Sequence, residues 1–228
     1  MNAQESLFLL AAIWTGCDRA LAETERSSGA LLDTVVPASG AGPARRTFYA
    51  ASEAKAVVNF WREAGPGLWF AKDPAFDQRF RERFSDLYEA AARGELGHWQ
   101  KAPESALGLL LLLDQYPRNS FRGTPRMYAT DELARQVAAA ALAAGHDRAL
   151  EAPLRLFVYL PYGHSENLAD QERSVALAHS LGQPALSRAE HHRDIIRRFG
   201  RFPHRNAILG RTPRPEEERY LAEGGFKG

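Results

Sequence analysis

From Ser52 onward, apolar residues recur three or four positions apart, the spacing of a buried helix face, with breakers between the periodic stretches. Ser52 can cap a helix carrying Val57, Phe60 and Trp61. Asp73-Pro74 offers a cap and a first-turn proline to a helix with Phe76, Phe80, Phe84, Leu87 and Tyr88, and Gly94 is its stop. Pro103 opens a helix through Leu113 whose leucines occupy every side, the pattern of a helix in the middle of a domain. Thr130-Asp131 caps the next, with Leu133, Val137, Ala141 and Ala144 on one face and Gly145 after it. Further helices are expected over about Pro153 to Leu160, Ser165 to Leu181 before Gly182, and Arg188 to Phe199 before Gly200, the last opened by a Ser187/Glu190 capping box. Pro215, followed by Glu216, Glu217 and Glu218, starts a short final helix with acids at the favourable end of the dipole. The expected fold is all-α, a single multi-helix domain over residues 52–228 with short connections. No interval of about 34 residues repeats the tetratricopeptide pattern, so the array lacks clear sequence repeats.

Residues 1–51 read as an extension. The apolar run Leu7 to Trp14 suggests a short helix over roughly residues 5–24, and Arg26 to Arg46 is a linker rich in Ser, Gly, Ala and Pro. The run followed by Cys17 also resembles a signal or lipoprotein leader. Met1 to Ser6, however, carries Glu5 and no Lys or Arg, and the run is too short to cross a bilayer. The expectation is a cytoplasmic protein without membrane association, with the leader reading as the alternative.

Composition removes several classes. The 38 Ala and 27 Leu outweigh 18 Val, Ile and Thr together, against a mainly β fold. A single cysteine excludes a disulfide framework and a Cys-based zinc site. The net charge of +1 argues against a generally basic nucleic-acid binder. The 25 Arg against 4 Lys fit either a coding bias or anion recognition, for which the planar guanidinium is suited.

Chemistry enters where polar residues fall on apolar faces. His164, Gln171, Val175 and Ala178 share one helical stripe with Leu168, and Glu166 falls opposite. His192 lies between Ile195 and Ile196. Asp114 sits on the Leu107/Leu111 face at the unfavourable end of the helix dipole, and so requires a cationic partner. Partners are offered by the loop after Asp114, with Arg118, Asn119 and Arg122, and by the segment Arg198 to Asn206. Between Arg188 and Arg214 there are 8 Arg and 2 acids, a local charge of +6. The candidate acid–base residues are His164, His192, His204 and Glu166. The candidate ligand-binding residues are Asp114, Arg118, Asn119, Arg122, Gln171, Arg198, Arg201, Arg205 and Asn206. The competing structural reading is that these groups cap carbonyl ends and neutralise a buried Asp. No cofactor or metal is expected: His164-Ser165-Glu166 is a poor same-face ligand spacing, and no P-loop, His-Glu-x-x-His, nucleophile elbow or Rossmann glycine pattern is present.

The same stretches, Leu113 to Asn119 with Arg122-Gly123, Tyr159-Leu160-Pro161 with His164 to Glu166 and Gln171, and His192 with Ile196 to Asn206 and Leu209-Gly210-Arg211, closely resemble the bacterial family DUF924 over about Ala54 to Phe226. That resemblance implies a tetratricopeptide-like all-helical fold and no established activity. Two functions follow as expectations. One is a binder of a small phosphate- or carboxylate-bearing molecule in an Arg/His-lined pocket between helices, with acid–base chemistry of a transferase or hydrolase. The other is a non-enzymatic module that takes a protein or acidic peptide in a groove. RNA binding is a third, less favoured reading.

Overall fold

The computed structural model describes residues 51–228, and helix follows the apolar periodicity through most of that range. The helix and linker expected before residue 51 lie outside the described residues. Helix α1 (Ala51–Trp69) is kinked at Gly65, whose positive φ of 68° leaves the helical region just before Pro66, which has no backbone N–H to give. Helix α2 (Pro74–Ala92) starts as the sequence predicts, with Asp73 Oδ1 accepting from the Phe76 N–H at 2.8 Å. Then come α3 (Pro103–Leu110), a π-helical turn (Leu111–Gln115) and the short α4 (Tyr116–Ser120). After these lie α5 (Asp131–Ala143), α6 (Ala152–Gly163), α7 (Leu168–Ala178), α8 (Ala185–Phe199) and α9 (Pro215–Ala222). Short 3-10 turns, among them Pro125–Tyr128 and Pro203–Arg205, connect them. The described residues contain no strand, and the fold is all-α.

The leucines of α3 and the π turn are buried on all sides, as their pattern requires. Helix α1 crosses α3 closely enough that a Cβ at Gly108 would lie 2.9 Å from the Ala54 carbonyl oxygen, so only glycine permits this crossing. Beside it Trp61, Phe76, Phe80 and Phe157 pack ring against ring at centroid distances of 5.3 to 6.0 Å, which fixes α1 and α2 against α6.

Four local expectations are corrected. The chain does not leave the helix at Leu113. The π turn lets it continue to Ser120, although Pro117 has no N–H to give the Leu113 carbonyl four residues back. That carbonyl is satisfied by the Thr130 hydroxyl, which donates to it at 2.6 Å, so Thr130 does not cap α5 through its side chain. Helix α7 starts at Leu168 rather than Ser165, because the Asn167 side chain accepts from the Ala169 and Asp170 N–H groups. Helix α8 starts at Ala185, and the Ser187 N–H is taken by Gln183 Oε1 at 3.2 Å in place of a Ser187/Glu190 box.

Candidate functional site

The shifted start of α7 decides where His164 sits. It is the residue after the last turn of α6, not part of the α7 stripe, and Leu168 is exposed instead of buried. The final carbonyls of a helix need donors from elsewhere, and its negative end favours cations. Three elements supply them here. From α7, Gln171 Nε2 donates to the Gly163 and Ser165 carbonyls at 2.9 and 2.6 Å. From α8, His192 Nδ1 meets the Gly163 carbonyl at 3.2 Å, and from the 3-10 turn Arg205 Nη2 donates to the His164 carbonyl at 2.9 Å. Part of the polar set is therefore structural capping.

The other side of His164 faces the π turn, which carries Asp114 and Gln115 into the interior. Asp114 is 1% exposed and accepts from His164 Nδ1 at 2.8 Å and Gln115 Nε2 at 2.6 Å, with Arg118 Nη1 at 3.1 Å. Burial alone would raise the Asp114 carboxyl, but Arg118 and His164 overcome it and hold it at about 2. Burial, reinforced by the Arg118 charge, pushes the His164 imidazole down despite its bond to Asp114. The pair is thus a carboxylate and a neutral imidazole. With Asp114 ionised, the shared proton belongs on His164 Nδ1, which leaves Nε2 on the opposite ring edge as a bare acceptor. The side chain keeps 16% of its surface exposed.

Arg118 also bridges Asp131 through two bonds, at 2.8 and 3.0 Å. Burial disfavours its charge, yet Asp114 and Asp131 more than compensate and its pKa is raised. Arg205 differs. It is buried, its Nη1 reaches Asp131 only at 3.5 Å, and its Nε has no hydrogen-bond partner. Burial and the neighbouring Arg118 push its pKa down. Its guanidinium lies over the rings of Tyr128 and Phe202, at 4.5 and 4.6 Å from their centroids.

Below Arg205, Phe202 packs edge-on to His192 and beside His204, both at 5.5 Å. Burial drives these imidazoles down, His192 to about 3 and His204 to about 4, with nearby positive or imidazole groups adding to the effect. Glu166 accepts from the Phe202 N–H at 2.8 Å and pairs with Arg211 at 2.8 Å. Burial opposes its charge, but these bonds win and its pKa is lowered.

His164, Asp114, Arg118, Gln171, Glu166, His192, His204 and Arg205 are therefore gathered around the end of α6. Other sequence candidates are not. Asn119 and Arg122 bind Asp77 of α2, Arg122 through Nε at 2.5 Å and Nη2 at 2.9 Å. Arg201 forms a two-bond bridge to the buried Glu217 of α9, which also accepts from Asn206 Nδ2. Arg198 lies over Phe199 and Tyr220. Of the expected ligand-binding arginines, Arg118, Arg122 and Arg201 already hold carboxylates through two bonds each, whereas Arg205 approaches Asp131 only at 3.5 Å. Asp131 and Tyr128 were not among the expected site residues; Asp131 reads as a cap, and Tyr128 lies in a short turn without periodicity. Among the described residues, no three His, Cys, Asp or Glu side chains are grouped to hold a metal ion.

Fold and site together define an all-α domain built around a buried Asp–His pair and one incompletely neutralised arginine. The family model for DUF924, "Bacterial protein of unknown function", matches residues 57–225, and the chain belongs to this family. It is similar, with 55% sequence identity and a TM-score of 0.75, to the solved structure of a protein of unknown function from Agrobacterium tumefaciens, the match covering 76% of this chain and 99% of that one. No curated protein matches the sequence. Among the described residues, no helix is long and apolar enough to cross a membrane.

Proposed function

We propose that the end of α6 binds a small molecule through a carboxylate or phosphate group, and that His164 acts there as a general base. The observation that carries the reading is Arg205, a buried guanidinium with an unpartnered Nε and a charge its neighbours do not fully offset. An anionic oxygen beside Nε would satisfy both the donor and the charge. His164 is suited to take a proton from a hydroxyl or water: Asp114 fixes its tautomer and stabilises the imidazolium that forms. A transferase or hydrolase step suits such a base. The acidic-peptide and RNA readings lose support, because Arg118, Arg201 and Arg211 are neutralised within the chain. The packing of α6 on α7 and α7 on α8 favours a tetratricopeptide-like array, which, with a cytoplasmic setting, belongs to the same proposal.

A thermal-shift screen of carboxylated and phosphorylated metabolites tests it. A ligand at 100 times its Kd adds about 2.7 kcal/mol to stability. The expected hit stabilises the wild type and the Arg198→Gln control but not Arg205→Gln. If a hit stabilises Arg205→Gln equally, or if none stabilises the wild type, the anion subsite is wrong.

A further inference from the structure

After α9 the chain turns sharply at Gly224 and Gly225. A Cβ at Gly225 would fall 2.5 Å from the Tyr220 carbonyl oxygen, so the turn requires glycine. The Gly225 N–H donates to that carbonyl at 2.9 Å, and the Phe226 N–H donates to the Tyr220 hydroxyl at 3.0 Å. This return brings the Phe226 ring over the histidines below Arg205. Its centroid is 4.8 Å from His192, 5.0 Å from His204, 5.8 Å from His191 and 6.4 Å from Phe202. The backbone at Gly228 also reaches His204, since a Cβ there would lie 3.1 Å from its Cδ2. The Glu223 and Gly224 N–H groups finish α9 by donating to the Arg219 and Leu221 carbonyls, and beyond them the segment crosses the histidine pair held by the Gly225 and Phe226 N–H bonds and one half-buried aromatic side chain. Such an attachment is weak enough to open locally without unfolding the helices beneath.

We propose that residues 223–228 are a proton-sensitive strap, with Phe226 closing over His192 and His204 and protonation of these imidazoles favouring the open form. As a device that regulates the ligand site, the strap rests on the reading given above; as a cover, it stands on the contacts alone. The groups facing His192 are His164 from the end of α6, His191 from its own helix, His204 from the 3-10 turn and the Gly163 carbonyl. Those facing His204 are Arg205, Glu166, His164 and Arg118. Among these described groups, Glu166 is the carboxylate facing the pair, and it is already bound to Arg211. A proton on either partly buried ring therefore finds little compensation while Phe226 covers it. Opening the strap restores hydration, so protons bind the open form more strongly, and a falling pH shifts the population toward it.

The test titrates the imidazole NMR signals of the full chain, assigned with His192→Gln and His204→Gln. Phe226→Ala removes the covering ring, and Tyr220→Phe removes the hydroxyl that holds the Phe226 backbone while keeping its own ring. In both, at least one of the two histidines is expected to titrate higher by about one unit or more, toward the ordinary value near 6.5. Carbethoxylation of these histidines at pH 7, read by mass spectrometry, is expected to quicken roughly tenfold in Phe226→Ala, the scale set by uncovering a phenyl ring. Circular dichroism checks that the variants stay folded. Unchanged titration and unchanged modification in folded Phe226→Ala, or in Tyr220→Phe should the first variant unfold, overturn the strap. If the histidines respond but no anion binds either form, the cover stands and the ligand reading fails. If an anion binds wild type and Phe226→Ala with equal affinity and rate, the strap does not regulate the site.

Discussion

Asp114 shows how one buried charge organises its surroundings. A carboxylate in the interior without partners costs several kcal/mol, and this one holds Arg118, His164 and Gln115 around it. Replacement by Ala should destabilise the domain by about 3 to 5 kcal/mol in chemical denaturation, because Arg118 and His164 lose a shared acceptor. His164→Gln should cost roughly 1 to 2 kcal/mol and abolish any proton transfer while leaving anion binding at Arg205 in place; calorimetry and a turnover assay separate the two. The need of Asp114 for a cation was legible, since it falls on a leucine face at a helix end. Arg118, four residues on, was within reach of sequence reasoning. That His164 completes the set was legible only as chemistry: its bond to Asp114 spans 50 residues, and no local periodicity encodes that distance.

At the level of elements, the π turn is the device that positions this pair. It shifts the helix register after Leu110 and leaves the Leu113 carbonyl to a side chain from the start of α5. Thr130→Val removes that donor at similar volume and should cost about 1 to 3 kcal/mol, the price of a buried carbonyl without a partner. Gly108→Ala tests the α1–α3 crossing and should destabilise by about 1 to 3 kcal/mol, since backbone cannot easily move away from the added methyl. Caps with one clear candidate, such as Asp73-Pro74, were readable. The helix expected from Ser165 starts instead after the Asn167 cap, and this moves His164 from one helix to the end of another. The helical run through Pro117 was hidden because its compensation comes from Thr130, 17 residues from the carbonyl it satisfies.

Across the whole molecule, the +6 charge near the C-terminal end is dispersed by carboxylates from several elements: Asp131, Glu166, Glu172 and Glu217 pair with Arg205, Arg211, Arg197 and Arg201. The Arg excess thus links helices, a use that composition could not separate from anion recognition. A pH dependence follows. His192 and His204 have folded pKa values below the unfolded value near 6.5, so they bind protons better when unfolded. Stability is complete above about pH 6.5 and declines as pH falls toward the folded values. Between pH 7 and 5 each should remove at most about 2 kcal/mol, and His192→Gln should flatten a urea-derived stability profile by that amount. The lowered carboxyls of Asp114 and Glu217 add a second loss at more acidic pH, below their unfolded values near 4.

We propose Arg205 as the anion subsite, and arginine Nε–H resonances report on it directly. In a titration at pH 7 with a carboxylate or phosphate ligand from the screen, the Arg205 Nε–H signal should shift and saturate with the binding curve. The Arg118 and Arg201 signals, already engaged with carboxylates, should stay nearly fixed. A saturable shift at Arg201 or Arg118 with Arg205 unmoved would place the anion elsewhere and rule out Arg205 as its subsite.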